Sequence, residues 1–244
     1  MKISSAPRVF TTTQWSMVNA AKSDAASQTI ARKALEELCR IYWYPLYAFV
    51  RSRGYSAEDS KDLTQAFFTN LLEKGGFTKV DRKQGRFRSY LLGALKHFLA
   101  NEWNREKTQK RGGKVRFIEW DDLNPESRFT ESIGSTDNPE QLFDREWALE
   151  TISGALKNLR LEMAKIGKAD QFEVLKSSLT WEDETQRKEI AERLGMTEGA
   201  VKVAIHRLRQ RYRKLLRAAV GETVGSEADL NVEMHYLVEV LRRD

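Results

Sequence analysis

The sequence predicts an all-α protein. Two small helical domains are joined by an acidic linker, the C-terminal domain is a helix-turn-helix, and a C-terminal amphipathic helix follows. Three observations lead there. Only 14 Gly and 4 Pro occur in 244 residues, well below the ordinary combined share of about 12%, so chain-reversing residues are scarce. Apolar residues recur at helical spacing, and alternating strand patterns are nearly absent. Charge is segregated into blocks rather than mixed.

A hydrophobic content of 41% supports two modest cores, and 31% charged residues exceed the usual ~25%. Collagen-like, mucin-like and wholly disordered chains are thereby excluded. The single cysteine, Cys39, cannot close an internal disulfide. That argues against a stapled secreted scaffold and for a reducing, cytoplasmic setting. Cys39 sits on a helical pattern and reads as a small buried hydrophobe. The first residues lack the apolar core of a signal peptide. No stretch approaches the roughly 18 apolar residues of a membrane span, so no membrane insertion is expected.

Residues 1–9 read as a flexible tail. Thr13 is a candidate cap for a first helix, and Ile30, Leu35, Leu38 and Ile41 continue the periodicity through Leu46 and Phe49. Pro45 predicts a kink or boundary there. Gly54 ends that element, and Ser56 with Asp59 three residues on has the spacing of a capping box. The helix it opens runs to about Lys74 and stops at Gly75-Gly76. A loop over 77–86 leads to a long helix from Phe87 to about Lys107, with an apolar side of Tyr90, Leu91, Leu95, Phe98 and Leu99. The first domain thus spans 10–113. Residues 114–145, acidic and holding Pro125, Gly134 and Pro139, read as the linker. Residues 146–220 form the second domain. In the 221–244 extension, Ser226 and Asp229 repeat the capping-box spacing, followed by Leu230, Met234, Leu237, Val238 and Leu241 on one helical face. That face packs either on the preceding domain or on a partner.

Residues 82–116 carry net +9, residues 117–150 net −8 and residues 186–217 net +7, within an overall +6. Two separate basic blocks point to a polyanion, because phosphate contacts release condensed counterions. In the second block, Ile190, Ala191 and Leu194 face inward from one helix, Gly195 sits in a turn, and Thr197 caps a second helix that buries Val201, Ile205 and Leu208. A small residue at 191, a glycine at 195 and an apolar residue at 201 suit the close crossing of a helix-turn-helix. The outward face then carries Glu198, Gly199, Lys202, Val203, His206 and Arg207, followed by Arg209, Arg211, Arg213 and Lys214. The N-terminal part of such a helix reads base edges, and later arginines suit phosphates. His206 has no neighbouring His or Cys that would make it a metal ligand.

In the first block, Arg86, Arg88, Lys96, Arg105 and Lys107 interleave with Phe87, Tyr90, Phe98 and Trp103. A cationic stripe tracks a phosphate backbone, and exposed rings stack on unpaired bases. Residues 59–73, with Asp62-Leu63-Thr64-Gln65, then Phe87–Arg105, then Ile190–Leu216, stand in an order that resembles bacterial RNA polymerase sigma factors of the extracytoplasmic-function type, group IV of the sigma-70 family, and especially a planctomycete-like subgroup. The resemblance implies a transcription initiation factor without enzymatic activity or cofactor. The helix carrying Asp59, Asp62, Leu63, Gln65 and Phe68 would dock on core RNA polymerase, which the factor would engage through the β′ clamp and the β flap. Arg86, Arg88, Lys96, His97, Asn101, Asn104 and Arg105 would engage the −10 element as it opens into single strands. Thr197, Glu198, Gly199, Lys202, Val203, His206, Arg207, Arg209 and Arg211 would meet the −35 duplex. An anti-sigma factor is a further candidate partner, and the acidic linker would run near the RNA exit path.

The chain departs from the family at Val203-Ala204, where a small hydroxyl residue followed by arginine is frequent, at Asn101, where aspartate is common, and at Lys96-His97. The extension after Gly221 exceeds the minimal two-domain plan. A competing reading is a stand-alone helix-turn-helix regulator that binds duplex without polymerase. A metal-dependent phosphoryl hydrolase using Glu58, Asp59 and Asp62 finds no supporting histidine motif, phosphate loop or nucleophile. Those acids fit a helix N-terminus.

Overall fold

The computed structural model describes residues 41–73, 86–108, 125–132, 138–180 and 184–242. All regular structure in those residues is helical. The helices are α1 (the described residues 41–52), α2 (Ala57–Glu73), α3 (Phe87–Thr108), α4 (Pro125–Ser132), α5 (Pro139–Lys165), α6 (Ala169–Leu175), α7 (Glu184–Leu194), α8 (Glu198–Gly221) and α9 (Glu227–Arg242). A short 3-10 turn, Lys176–Leu179, follows α6. The chain divides into two compact units, residues 1–148 with 221–244, and residues 149–220. The expected first helix near Thr13, Cys39, most of the 77–86 loop and residues 117–124 lie outside the described residues.

In the first unit α1 is buried on all sides, from Tyr42 to Val50. Its helix continues through Pro45, so of the kink or boundary predicted there the boundary is not formed. A proline in a helix interior costs about 3 kcal/mol, and the enclosure of seven large apolar side chains from Tyr42 to Val50 offsets that. The Trp43 and Tyr47 rings, one turn apart, stack at 5.3 Å. Gly54, at φ +93°, closes the helix, and its N–H donates to the Arg51 carbonyl at 3.0 Å.

The capping box at Ser56 forms. The Asp59 N–H donates to Ser56 Oγ at 3.0 Å, and the Ser56 hydroxyl donates to Asp59 Oδ2 at 2.6 Å. Helix α2 buries Phe67, Phe68 and Leu71, and α3 buries Phe87, Leu91, Leu95 and Leu99. Helices α4 and α5 each begin with proline, whose missing N–H has no intrahelical partner at that position anyway. Asn138 caps α5 through its side-chain oxygen, which accepts from the Glu140 N–H at 2.9 Å.

Residues 125–132 and 139–145, within the segment read as an acidic linker, are therefore helical. Three of their four acids face cations of the same unit. Arg51 donates to Glu126 from Nε at 3.0 Å, Lys96 meets Glu140 at 2.6 Å, and Arg88 pairs with Asp144. Composition alone marks acid-rich segments as solvated; here the opposite charges are on the neighbouring helices.

The 221–244 segment belongs to this same unit. Its cap forms as spaced, with the Asp229 N–H on Ser226 Oγ at 3.1 Å. The Phe87 N–H, one of the unpaired donors at the start of α3, donates to the Thr223 carbonyl at 3.2 Å. The buried face of α9 is Leu230, Glu233, Leu237 and Val240. Val238, expected inside, is 43% exposed, because the face is turned so that Glu233 reaches the Arg88 guanidinium.

The second unit packs α5, α6, α7 and α8 around Leu159, Phe172, Leu175, Ile190, Ala191, Val201, Ile205 and Leu208. Gly195, at φ +61°, ends α7. The Met196 N–H reaches back to the Ala191 carbonyl at 2.9 Å, which closes the turn. Thr197 Oγ1 accepts from the Ala200 N–H at 3.2 Å and caps α8.

Candidate nucleic-acid interface

Helix α8 is amphipathic over its full length. Val201, Ile205, Leu208, Leu216 and Val220 are buried, with Ala204, Tyr212 and Leu215 packed beside them, so the opposite side of the helix is turned outward. Glu198, Gly199, Lys202, Val203, His206 and Arg207 are exposed. Lys202, Arg207, Arg213 and Lys214 have no carboxylate partner among the described residues. An exposed, unneutralised cationic face on a rigid helix is suited to a polyanion.

Two arginines of the expected −35 set are committed elsewhere. Arg209 is half-buried, and its Nε donates to the Ser178 carbonyl at 2.9 Å. Ser178 ends in the 3-10 turn, so Arg209 fixes that turn against α8. Arg211 donates from Nε to Glu162 at 2.6 Å. The Glu162 carboxyl lies below its ordinary range, chiefly through that hydrogen bond. Thr197 serves as cap. The face available for contact is therefore narrower than the sequence suggests.

The expected −10 set is arranged differently. Arg88 is 6% exposed. Its guanidinium donates to Glu233 and to Asp144 and lies over the Tyr236 ring at 4.3 Å and the Trp147 ring at 5.0 Å. Burial disfavours the charge, and the two carboxylates outweigh that and hold it on. Tyr236 donates its hydroxyl to Asp144 at 2.5 Å. Arg86, half-exposed, reaches Glu233 at 2.9 Å. Lys96 is exposed and paired with Glu140, whose carboxyl is lowered chiefly by that contact. His97 and Asn101 are exposed on the same helix. The Asn104 and Arg105 side chains lie outside the described residues. Arg88 is a core residue in this fold, and it offers nothing to an external ligand while those pairs hold.

Of the residues carried over for polymerase docking, Asp59 and Asp62 are exposed and Leu63 is half-buried. Gln65 and Phe68 are 4% and 1% exposed. They face the core of the first unit, so the exposed residues of α2, among those described, are Glu58, Asp59, Lys61 and Asp62, a predominantly acidic edge.

Sequence reasoning missed the Arg88 cluster. One signal was available: Glu233 falls between Leu230 and Leu237 on the apolar stripe of α9, and an acid there requires a buried partner. Among the described residues, no group of three or more His, Cys, Asp or Glu is gathered as a metal site needs. Among the same residues no helix is long and apolar enough to cross a membrane. No family model, no curated protein and no solved structure matches the chain.

Proposed function

We propose that this chain is a transcription initiation factor of the extracytoplasmic-function sigma type. In this reading α7 and α8 are a helix-turn-helix that reads the −35 duplex through Lys202, Val203, His206 and Arg207. The first unit docks on core RNA polymerase through the acidic edge of α2 and handles the opened −10 strand through α3. The observation that carries the reading is the exposed, unneutralised cationic face of α8, set on a helix pair closed by Gly195 and capped by Thr197. The test is co-purification of the chain with core polymerase. Wild type is retained, and Asp62→Arg, on an exposed position, is lost while remaining folded. Equal retention of the variant rejects the docking edge, and failure of wild type to bind rejects the initiation reading.

A second reading, a stand-alone duplex-binding regulator, is favoured by one observation. Arg86, Arg88 and Lys96 are all paired with acids of their own unit, which leaves α8 as the better polyanion surface. It predicts full duplex affinity without polymerase. The initiation reading predicts weak binding alone and strong binding with core enzyme.

A further inference from the structure

Val203 is the one large apolar residue exposed on α8, at 48%. It stands among the exposed Gly199, Lys202, His206 and Arg207, one helical turn before Arg207. A β-branched hydrocarbon on an otherwise polar, cationic face contributes no hydrogen bond, so any contact it makes with a base is apolar. In the major groove only one base offers a matching apolar group, the C5-methyl of thymine. Cytosine, at the same groove edge, has a bare carbon and a donor that Val203 cannot satisfy. We propose that Val203 determines specificity for a thymine, by packing on its methyl group, and that this thymine lies within about two base pairs of the one met by Arg207. The spacing follows from the helix: four residues rise about 6 Å, close to two base-pair steps of about 3.4 Å each. The inference rests on the duplex-reading role of α8 proposed above.

The flanks of Val203 limit what else it serves. It also borders a groove of about 580 Å³ lined in part by Met163, Ile166 and Met196. Nothing in the structure specifies an occupant for that groove, whereas the residues beside Val203 along the helix carry the charge that phosphates match. The two uses make opposite demands on Ile166, which is 63% exposed and lies off the α8 face.

The experiment uses the full chain, alone and with core RNA polymerase added, to select duplexes from a random-sequence pool. Each thymine of the selected duplex is then replaced singly by deoxyuridine, which removes the methyl and leaves every hydrogen-bonding group in place. With wild type, one such replacement weakens binding about fourfold, the factor for one buried methyl. Val203→Ala, which withdraws both γ-methyls and leaves only Cβ, diminishes that effect. Val203→Thr, which keeps a methyl, retains the sensitivity, and Ile166→Ser leaves it unchanged. A selected duplex whose binding is indifferent to every replacement overturns the thymine contact and leaves duplex reading standing. So does a sensitivity that is undiminished at every position in Val203→Ala. Failure to select any duplex under either condition overturns both.

Discussion

Arg88 of α3 and Glu233 of α9, 145 residues apart in sequence, form a buried ion pair at the start of the helix on which the expected strand-opening residues lie. Glu233 also accepts from Arg86. The C-terminal segment is thereby tied to three successive residues at the start of α3, Arg86, Phe87 and Arg88, counting the Thr223 carbonyl that accepts from the Phe87 N–H. Removing one partner of such a pair leaves a buried charge and costs about 3–5 kcal/mol. Arg88→Met is expected to lower stability by that amount in denaturant titration. Arg88→Met with Glu233→Met restores part of it, since the buried Glu233, left with Arg86 alone as its partner, is gone. A double variant as unstable as the sum of the two singles shows that the residues are uncoupled.

Glu126 carries a pH signature. Its carboxyl is drawn from 4.5 to about 2, chiefly by the Arg51 hydrogen bond and then by that of Tyr47. A carboxylate lowered on folding contributes stability that is present above its ordinary value and is lost as pH falls through the folded value. The advantage of wild type over Glu126→Gln should therefore be constant near neutrality and shrink between about pH 4.5 and 2. Melting temperatures across that window test it. A difference independent of pH would mean that the carboxylate charge plays no part.

Gly195 isolates a backbone effect. No atom lies within 4 Å of where its Cβ would stand, so Gly195→Ala meets no steric clash. The cost is the left-handed conformation at φ +61°, roughly 1–2 kcal/mol for an L-residue. Gly195→Asn should lose less, since asparagine tolerates that region better. Equal stability of Gly195→Ala and wild type in urea contradicts this account of the turn.

Along α8 two kinds of loss are expected under the proposed duplex contact. Arg207→Ala costs about 1–3 kcal/mol of binding and relaxes preference at one base pair, as loss of a bidentate guanine contact does. Lys214→Ala weakens all sequences alike and reduces the salt slope by about one. Affinities measured on a panel of single-base variants at several salt concentrations separate the two. Identical behaviour of the two variants would remove the division between base reading and backbone contact.

The pattern of what the sequence revealed has a physical basis. Capping boxes at Ser56 and Ser226 and the turn at Gly195 were legible because their partners lie within a few residues. Pro45 does not end its helix, because local propensity yields to tertiary enclosure. The acidic segment misled for a related reason: charge composition does not say where the opposite charge sits, and Arg51, Lys96 and Arg88 are distant in sequence from Glu126, Glu140 and Asp144. The α8 face was visible from its periodicity, but the removal of Arg209 and Arg211 from it depended on Ser178 and Glu162, which only the packing brings near.

The most direct test of the proposed role is run-off transcription from genomic fragments with core RNA polymerase, with and without the chain. The account predicts defined transcripts that require the chain, that shift or vanish with Arg207→Ala, and that are unaffected by Ile166→Ser. Tight, sequence-selective duplex binding without polymerase, together with no chain-dependent transcript from any fragment, would contradict it and leave the stand-alone regulator in its place.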